Sequence, residues 1–213
     1  RHAIHPTLEE FREKARRGNL IPVWRECLAD FETPVSAFRK LARSPFAFLL
    51  ESVEQGEKLG RYSFIGADPS LIFKSKNGEN EILFQSEVQE FHGAASPLET
   101  LRRLMGHYQP VSDRRLPAFY GGAVGFLAYD VVRDFERLPN VKPDDLHLPD
   151  AIFMIADNVI AFDHVRHRML IIANAHVTAD ADAAYAQAVQ RIETLHERLR
   201  QPLPVKEPAG GGR

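Results

Sequence analysis

The chain has 213 residues, of which 44% are hydrophobic and 26% charged, and 27 basic against 29 acidic side chains leave a net charge of -2. These proportions suit one large or two small globular domains and exclude a disordered tail, a collagen-like fibre and a coiled-coil rod. There is no basic block for a nucleic acid, and the longest uncharged run, Leu116 to Tyr129, has 14 residues including three glycines, short of the roughly 20 a membrane helix needs. No signal-peptide pattern opens the chain. With Cys27 as the one cysteine, no internal disulfide forms, which fits a reducing compartment and a cytoplasmic protein.

Thr7-Leu-Glu-Glu10 has the form of a capping box and predicts a first helix that stops near Gly18. A strand from Leu20 to Glu26 follows. Thr33-Pro34 opens a second helix, to about Arg43, with proline at its first position. Short apolar runs then take over, Phe46 to Ser52 and Arg61 to Gly66. Leu71–Lys76 and Glu81–Gln85 flank Asn77-Gly78, a strong hairpin signal.

Ser96-Pro97 starts a third helix reaching about His107. Pro117 to Tyr129 reads as one glycine-interrupted strand. Ala151–Phe162 and Met169–Ala175 read as two buried strands around the turn Asp163–His167. A long helix should run from Thr178 to Arg200, with Ala181, Tyr185, Ala188, Ile192, Leu195 and Leu199 forming one stripe that covers its own sheet. Strands in the middle and helices at the ends predict an α+β fold: two packed antiparallel sheets, a layered sandwich, with flanking helices. The tail Gln201–Arg213 has three prolines and three glycines, the composition of a floppy terminus or of a linker to another domain.

Catalytic constellations are scarce. His164 and His167 are close in sequence, but no Cys or Glu cluster joins them to complete a zinc set. Cys27 reads as a small core residue and not as a nucleophile. Gly121-Gly-Ala-Val-Gly125 matches neither phosphate-loop pattern and reads as a place where another backbone comes close. Asp144-Asp145 reads as a solvated loop. Glu51 and Ser52 end a fully apolar run and have the chemistry to hold a small zwitterion, the carboxylate on its ammonium group. Taken alone, the same pair reads rather as the start of a solvated loop, since Glu54 and Glu57 follow.

Leu49-Leu-Glu-Ser52, then Gly60-Arg-Tyr-Ser-Phe-Ile-Gly-Ala-Asp-Pro69, then Phe119-Tyr-Gly-Gly-Ala-Val-Gly-Phe-Leu-Ala-Tyr-Asp130 resemble the N-terminal half of the large subunit of anthranilate synthase. Thr7–Phe11 and the block Asp150–Ala175 are similar to the same half. The resemblance implies a parent enzyme that makes anthranilate and pyruvate from chorismate, using Mg2+ and ammonia from a glutamine amidotransferase subunit, and that L-tryptophan inhibits. It places the Mg2+ ligands and the chorismate site in a C-terminal domain beyond this chain. By that resemblance residues 1–200 are a regulatory domain without catalytic residues, inactive alone, and 201–213 the linker onward. The carried-over tryptophan site is Leu50, Glu51 and Ser52, with Arg61, Tyr62 and Ser63 as a second wall. Two alternatives remain: the sister enzyme that makes aminodeoxychorismate, and a stand-alone, non-catalytic amino-acid-binding module.

Overall fold

The structure, a computed structural model, describes residues 3–30, 32–51, 60–84, 87–91 (backbone only), 96–137, 139 and 146–203. In chain order these form β1 (Ile4–His5), α1 (Leu8–Ala15), β2 (Leu20–Leu28), α2 (Pro34–Leu41), β3 (Ala47–Glu51) and β4 (Tyr62–Ala67). Then come β5 (Leu71–Lys76), β6 (Glu79–Phe84), β7 (Glu87–Phe91), α3 (Pro97–Gly106) and β8 (Gly122–Leu127). A 3-10 turn at Tyr129–Asp134 leads to β9 (Ala151–Ala156), β10 (Asn158–Asp163), β11 (Arg168–His176) and α4 (Ala181–Arg200). No described helix is long and apolar enough to cross a membrane.

The helix starts follow local chemistry. Glu10 N–H donates to Thr7 Oγ1 at 3.3 Å and Thr7 N–H to Glu10 Oε2 at 3.0 Å, a closed capping box. Thr33 and Ser36 close a second one around Pro34. The last helix begins at Ala181, later than Thr178, because the Asp180 carboxylate caps the N–H groups of Asp182 and Ala183.

The strands make two antiparallel sheets. One runs β1-β2-β11-β10-β4-β3 and the other β7-β6-β5-β9-β8. With the four helices this is an α+β fold. The single strand expected over Ala151–Phe162 is two strands, β9 and β10, in different sheets. The chain changes sheet at Asp157, whose Oδ2 accepts from Ser70 N–H at 3.0 Å and whose backbone oxygen accepts from Asn174 N–H at 2.7 Å. Ser70 lies in the other crossing, between β4 and β5, so the two crossings are tied to each other.

The strand expected from Pro117 is also shorter, beginning at Gly122. Residues before it lie as a loop, where Tyr120 carbonyl accepts from Asn174 Nδ2 at 2.8 Å and Leu116 and Tyr120 pack on Trp24, Ala161, Leu170 and Ile172. A Cβ on Gly121 would stand 2.4 Å from Asn174 Nδ2. Gly125 is tighter, with its Cβ position 1.8 Å from Ile152 O and 2.7 Å from Phe153 Cα. These glycines permit close backbone approach, as their place in an apolar run predicts.

Helices α1, α2 and α4 cover one face of the six-stranded sheet. Phe11, Leu41 and Ile192 meet Ile21, Ile65 and Ile171 there, all at most 1% exposed. The α4 stripe buries Ala184, Ala188, Ile192, Leu195 and Leu199, so this helix packs on its own sheet. Cys27 is buried in the same core, and that burial pushes its thiol pKa up, away from nucleophile chemistry. On the second sheet, Leu104 of α3 packs against Phe73, Ile82 and Ala151. Gly125→Ala should force β8 from β9 and cost about 1–3 kcal/mol, read as a lower urea midpoint; an unchanged midpoint would show that the ladder yields freely.

Candidate functional site

Side chains alternate along a strand, and directly paired residues share a face. In the β3–β4 ladder Leu49 pairs with Ile65, Leu50 with Phe64 and Glu51 with Ser63. Leu49 and Ile65 belong to the helix-covered core, so Glu51 and Ser63 lie on that side. Leu50, 43% exposed, shares the opposite side with Phe64. Of the residues singled out in sequence, Glu51 and Ser63 therefore lie on one face of the sheet edge, and Leu50 and Tyr62 on the other. Ser52 lies outside the described residues.

The outer face is aromatic. Phe119 meets Phe64 edge-on at 5.1 Å and Phe48 at 6.4 Å, and Tyr62 stacks on Phe64 at 5.8 Å. Phe48 lies directly over Gly66, where a Cβ would come within 2.1 Å of its ring. The Arg61 guanidinium stands 4.9 Å from the centre of the Tyr62 ring. An aromatic surface at a sheet edge offers stacking area for a flat apolar ligand.

The polar residues are held by the turn after β10. Arg61 donates Nε and Nη2 to the two Asp163 carboxylate oxygens at 3.0 and 2.7 Å, a bidentate pair whose acid is fully buried. Arg166 N–H adds a bond to Asp163 at 3.3 Å, and Arg168 lies within 3.6 Å. Burial works against the Asp163 anion, but the Arg61 bonds, the Arg166 N–H and the charges of Arg61 and Arg168 prevail and hold its pKa below the ordinary value. Next to it, His164 donates its N–H to Arg61 O at 2.9 Å, and its Nε2 lies 2.7 Å from Ser63 Oγ. Asp163 and His164 thus fix Arg61 and Ser63, and sequence reading passed over that role. The available signal was an aspartate closing the apolar run Val159–Phe162.

Among the described residues, no three His, Cys, Asp or Glu side chains are grouped to hold a metal ion. They therefore offer no ligand set for a Mg2+ ion.

A family model described as "chorismate binding enzyme" matches residues 45–210. The chain belongs to this family. Within it, the chain is 42% identical over 197 residues to "Anthranilate synthase component 1" of Acetivibrio thermocellus, covering 92% of this chain and 40% of that protein. The protein of the same name from Mycobacterium tuberculosis strain H37Rv is 40% identical over 204 residues, covering 92% and 39%. The chain spans about 40% of the length of these relatives. Among solved structures, anthranilate synthase component I from Streptococcus pneumoniae TIGR4 superposes with a TM-score of 0.52 at 24% identity, over 84% of this chain and 37% of that one. That likeness concerns the fold.

In this chorismate-binding-family chain, the Arg61–Asp163 pair ties the edge strands to the sheet centre. Asp163→Asn should lower the urea midpoint of the chain, since it removes the carboxylate that receives the two Arg61 bonds at the buried end of the pair. Because the folded pKa of Asp163 is depressed, its contribution is complete above the ordinary aspartate range near pH 4 and is lost as pH falls through the lowered value. Urea unfolding between about pH 2 and 6 should therefore show a flatter acid limb for Asp163→Asn than for the parent.

Proposed function

We propose that this chain is the N-terminal, regulatory part of an anthranilate synthase component I, and that it holds the L-tryptophan feedback site. The observation that carries the reading is the intact Leu49-Leu-Glu-Ser52 motif, whose first three residues lie on an edge strand paired with the strand of Tyr62 and Ser63. The roughly 40% identity to proteins named anthranilate synthase component 1 supports the parent activity. On this reading the parent forms anthranilate and pyruvate from chorismate, with Mg2+ and the chorismate site in a C-terminal domain. Ammonia comes from a glutamine amidotransferase subunit. Residues 1–213 alone are inactive, and the tail, undescribed from 204 onward, leads to the rest of the enzyme.

The indole of tryptophan would lie on the outer aromatic face, near Leu50, Tyr62 and Phe64, which offers stacking and apolar area. Its charged end would reach round the sheet edge to Glu51 and Ser52, the carboxylate of Glu51 taking the ammonium group. A ligand inhibits only by favouring an inactive arrangement over the active one. By linkage, chorismate then weakens tryptophan binding by the same factor.

In the complete enzyme, Glu51→Gln or Ser52→Ala should raise the tryptophan concentration for half-inhibition about tenfold or more, the loss of one charge-assisted hydrogen bond. Anthranilate fluorescence reads both the product and its inhibition. Full sensitivity in both variants would remove the site assignment, and a product other than anthranilate would favour the aminodeoxychorismate enzyme.

A further inference from the structure

His164 covers a buried hydroxyl. Ser63 is 3% exposed, and the exposed imidazole stands over it, with Nε2 2.7 Å from Oγ. The His164 backbone is held, its N–H bonded to Arg61 O, and its ring lies near parallel to Phe162, with centroids 6.5 Å apart and planes 18° from parallel. Across the ladder from Ser63 stands the exposed Glu51. Carboxylate, hydroxyl and imidazole therefore follow one another on one face, from β3 through β4 to the turn after β10.

A serine hydroxyl carries one proton and two lone-pair sites and rotates to suit its partners. A partner fixed on one side leaves a defined direction for the other. Resting on the effector-site reading above, we infer that His164 is a positioning residue of that site, which orients the Ser63 hydroxyl toward the charged end of an α-amino acid held at Glu51. Because the turn holds the His164 backbone beside Arg61 and the ring lies along Phe162, the imidazole approaches Ser63 from a set direction. The role differs from the metal-ligand chemistry that the His164–His167 spacing first brings to mind.

The test is a calorimetric titration of L-tryptophan into the complete polypeptide, with melting temperatures measured alongside. His164→Leu should weaken binding about tenfold, the effect of one lost orienting hydrogen bond. His164→Gln, whose amide reaches close to the place of Nε2, should restore affinity to within about threefold of the parent. In a Ser63→Ala background His164→Leu should add less than about twofold, because the imidazole acts through that hydroxyl. Should His164→Leu fail to fold, His164→Asn, which stops short of Ser63, takes its place with the same expectation. A parent that binds tryptophan, with Leu and Asn variants of equal affinity, overturns the inference and leaves the effector site standing. Equal losses in the Ser63 and Ser63→Ala backgrounds overturn it as well. A parent that binds no tryptophan overturns the effector site and the inference together.

Discussion

A polar knot at Asp157 decides how two antiparallel sheets come from one chain. There the backbone leaves β9 in one sheet and enters β10 in the other. The Asp157 carboxylate holds the N–H of Ser70 in the second crossing, and its carbonyl holds Asn174 of β11. Asn174 also grips the Tyr120 carbonyl of the covering loop, while Arg191 of α4 donates to the Asn174 carbonyl at 2.8 Å. Arg198 of the same helix reaches Asp68 beside Ser70. Buried backbone groups must find partners, and where strands stop at a crossing these side chains provide them. The long helix, the loop and both crossings are thereby fixed to one point.

The site inherits its geometry from that arrangement. Strand β4 enters the crossing at one end and carries Tyr62 and Ser63 at the other. Its neighbour β10 comes out of the same knot and ends at Asp163. Because β4 and β10 pair in register from Asp163–Tyr62 to Val159–Gly66, the turn after β10 arrives beside Arg61. The buried Asp163 carboxylate then clamps Arg61, and His164 closes over Ser63. A short edge strand with few neighbours gains from this a rigid inner wall. Rigid support of this kind is what a binding constellation needs if its polar groups are to keep their directions.

Alternation gives the edge two characters. Phe48, Leu50, Tyr62 and Phe64 face outward with Phe119, while Glu51 and Ser63 face the helix side. A ligand with a flat apolar body and a charged end matches such an edge by lying on one side and turning its polar end round the last residues of the strand. This is the physical content behind reading Leu49–Ser52 as part of an amino-acid site.

Much of the local structure was legible in the sequence. Thr7, Thr33 and Ser96 marked helix starts because capping is settled within four residues, and Asn77-Gly78 marked its hairpin because a two-residue turn needs positive φ, which both residues adopt. The stripe of α4 announced its buried face for the same short-range reason. What could not be read were events between distant segments. The break of the Ala151–Phe162 run at Asp157 was hidden, since apolar residues continue across it and only its partners Ser70 and Asn174 reveal the crossing. Leu50 and Glu51 were legible as a motif, but their division between two faces depends on the β3–β4 register. Asp163 and His164, about a hundred residues beyond Arg61 and Ser63, join them only through the pairing of β4 with β10. The sequence by itself determined the helix starts, the Asn77-Gly78 hairpin, the family likeness and the residue types at the edge, because caps, turns and periodicity act over a few residues. Tertiary structure alone decided which of those residues meet, because strand order and register are set by long-range pairing and by the burial of side chains from opposite ends of the chain.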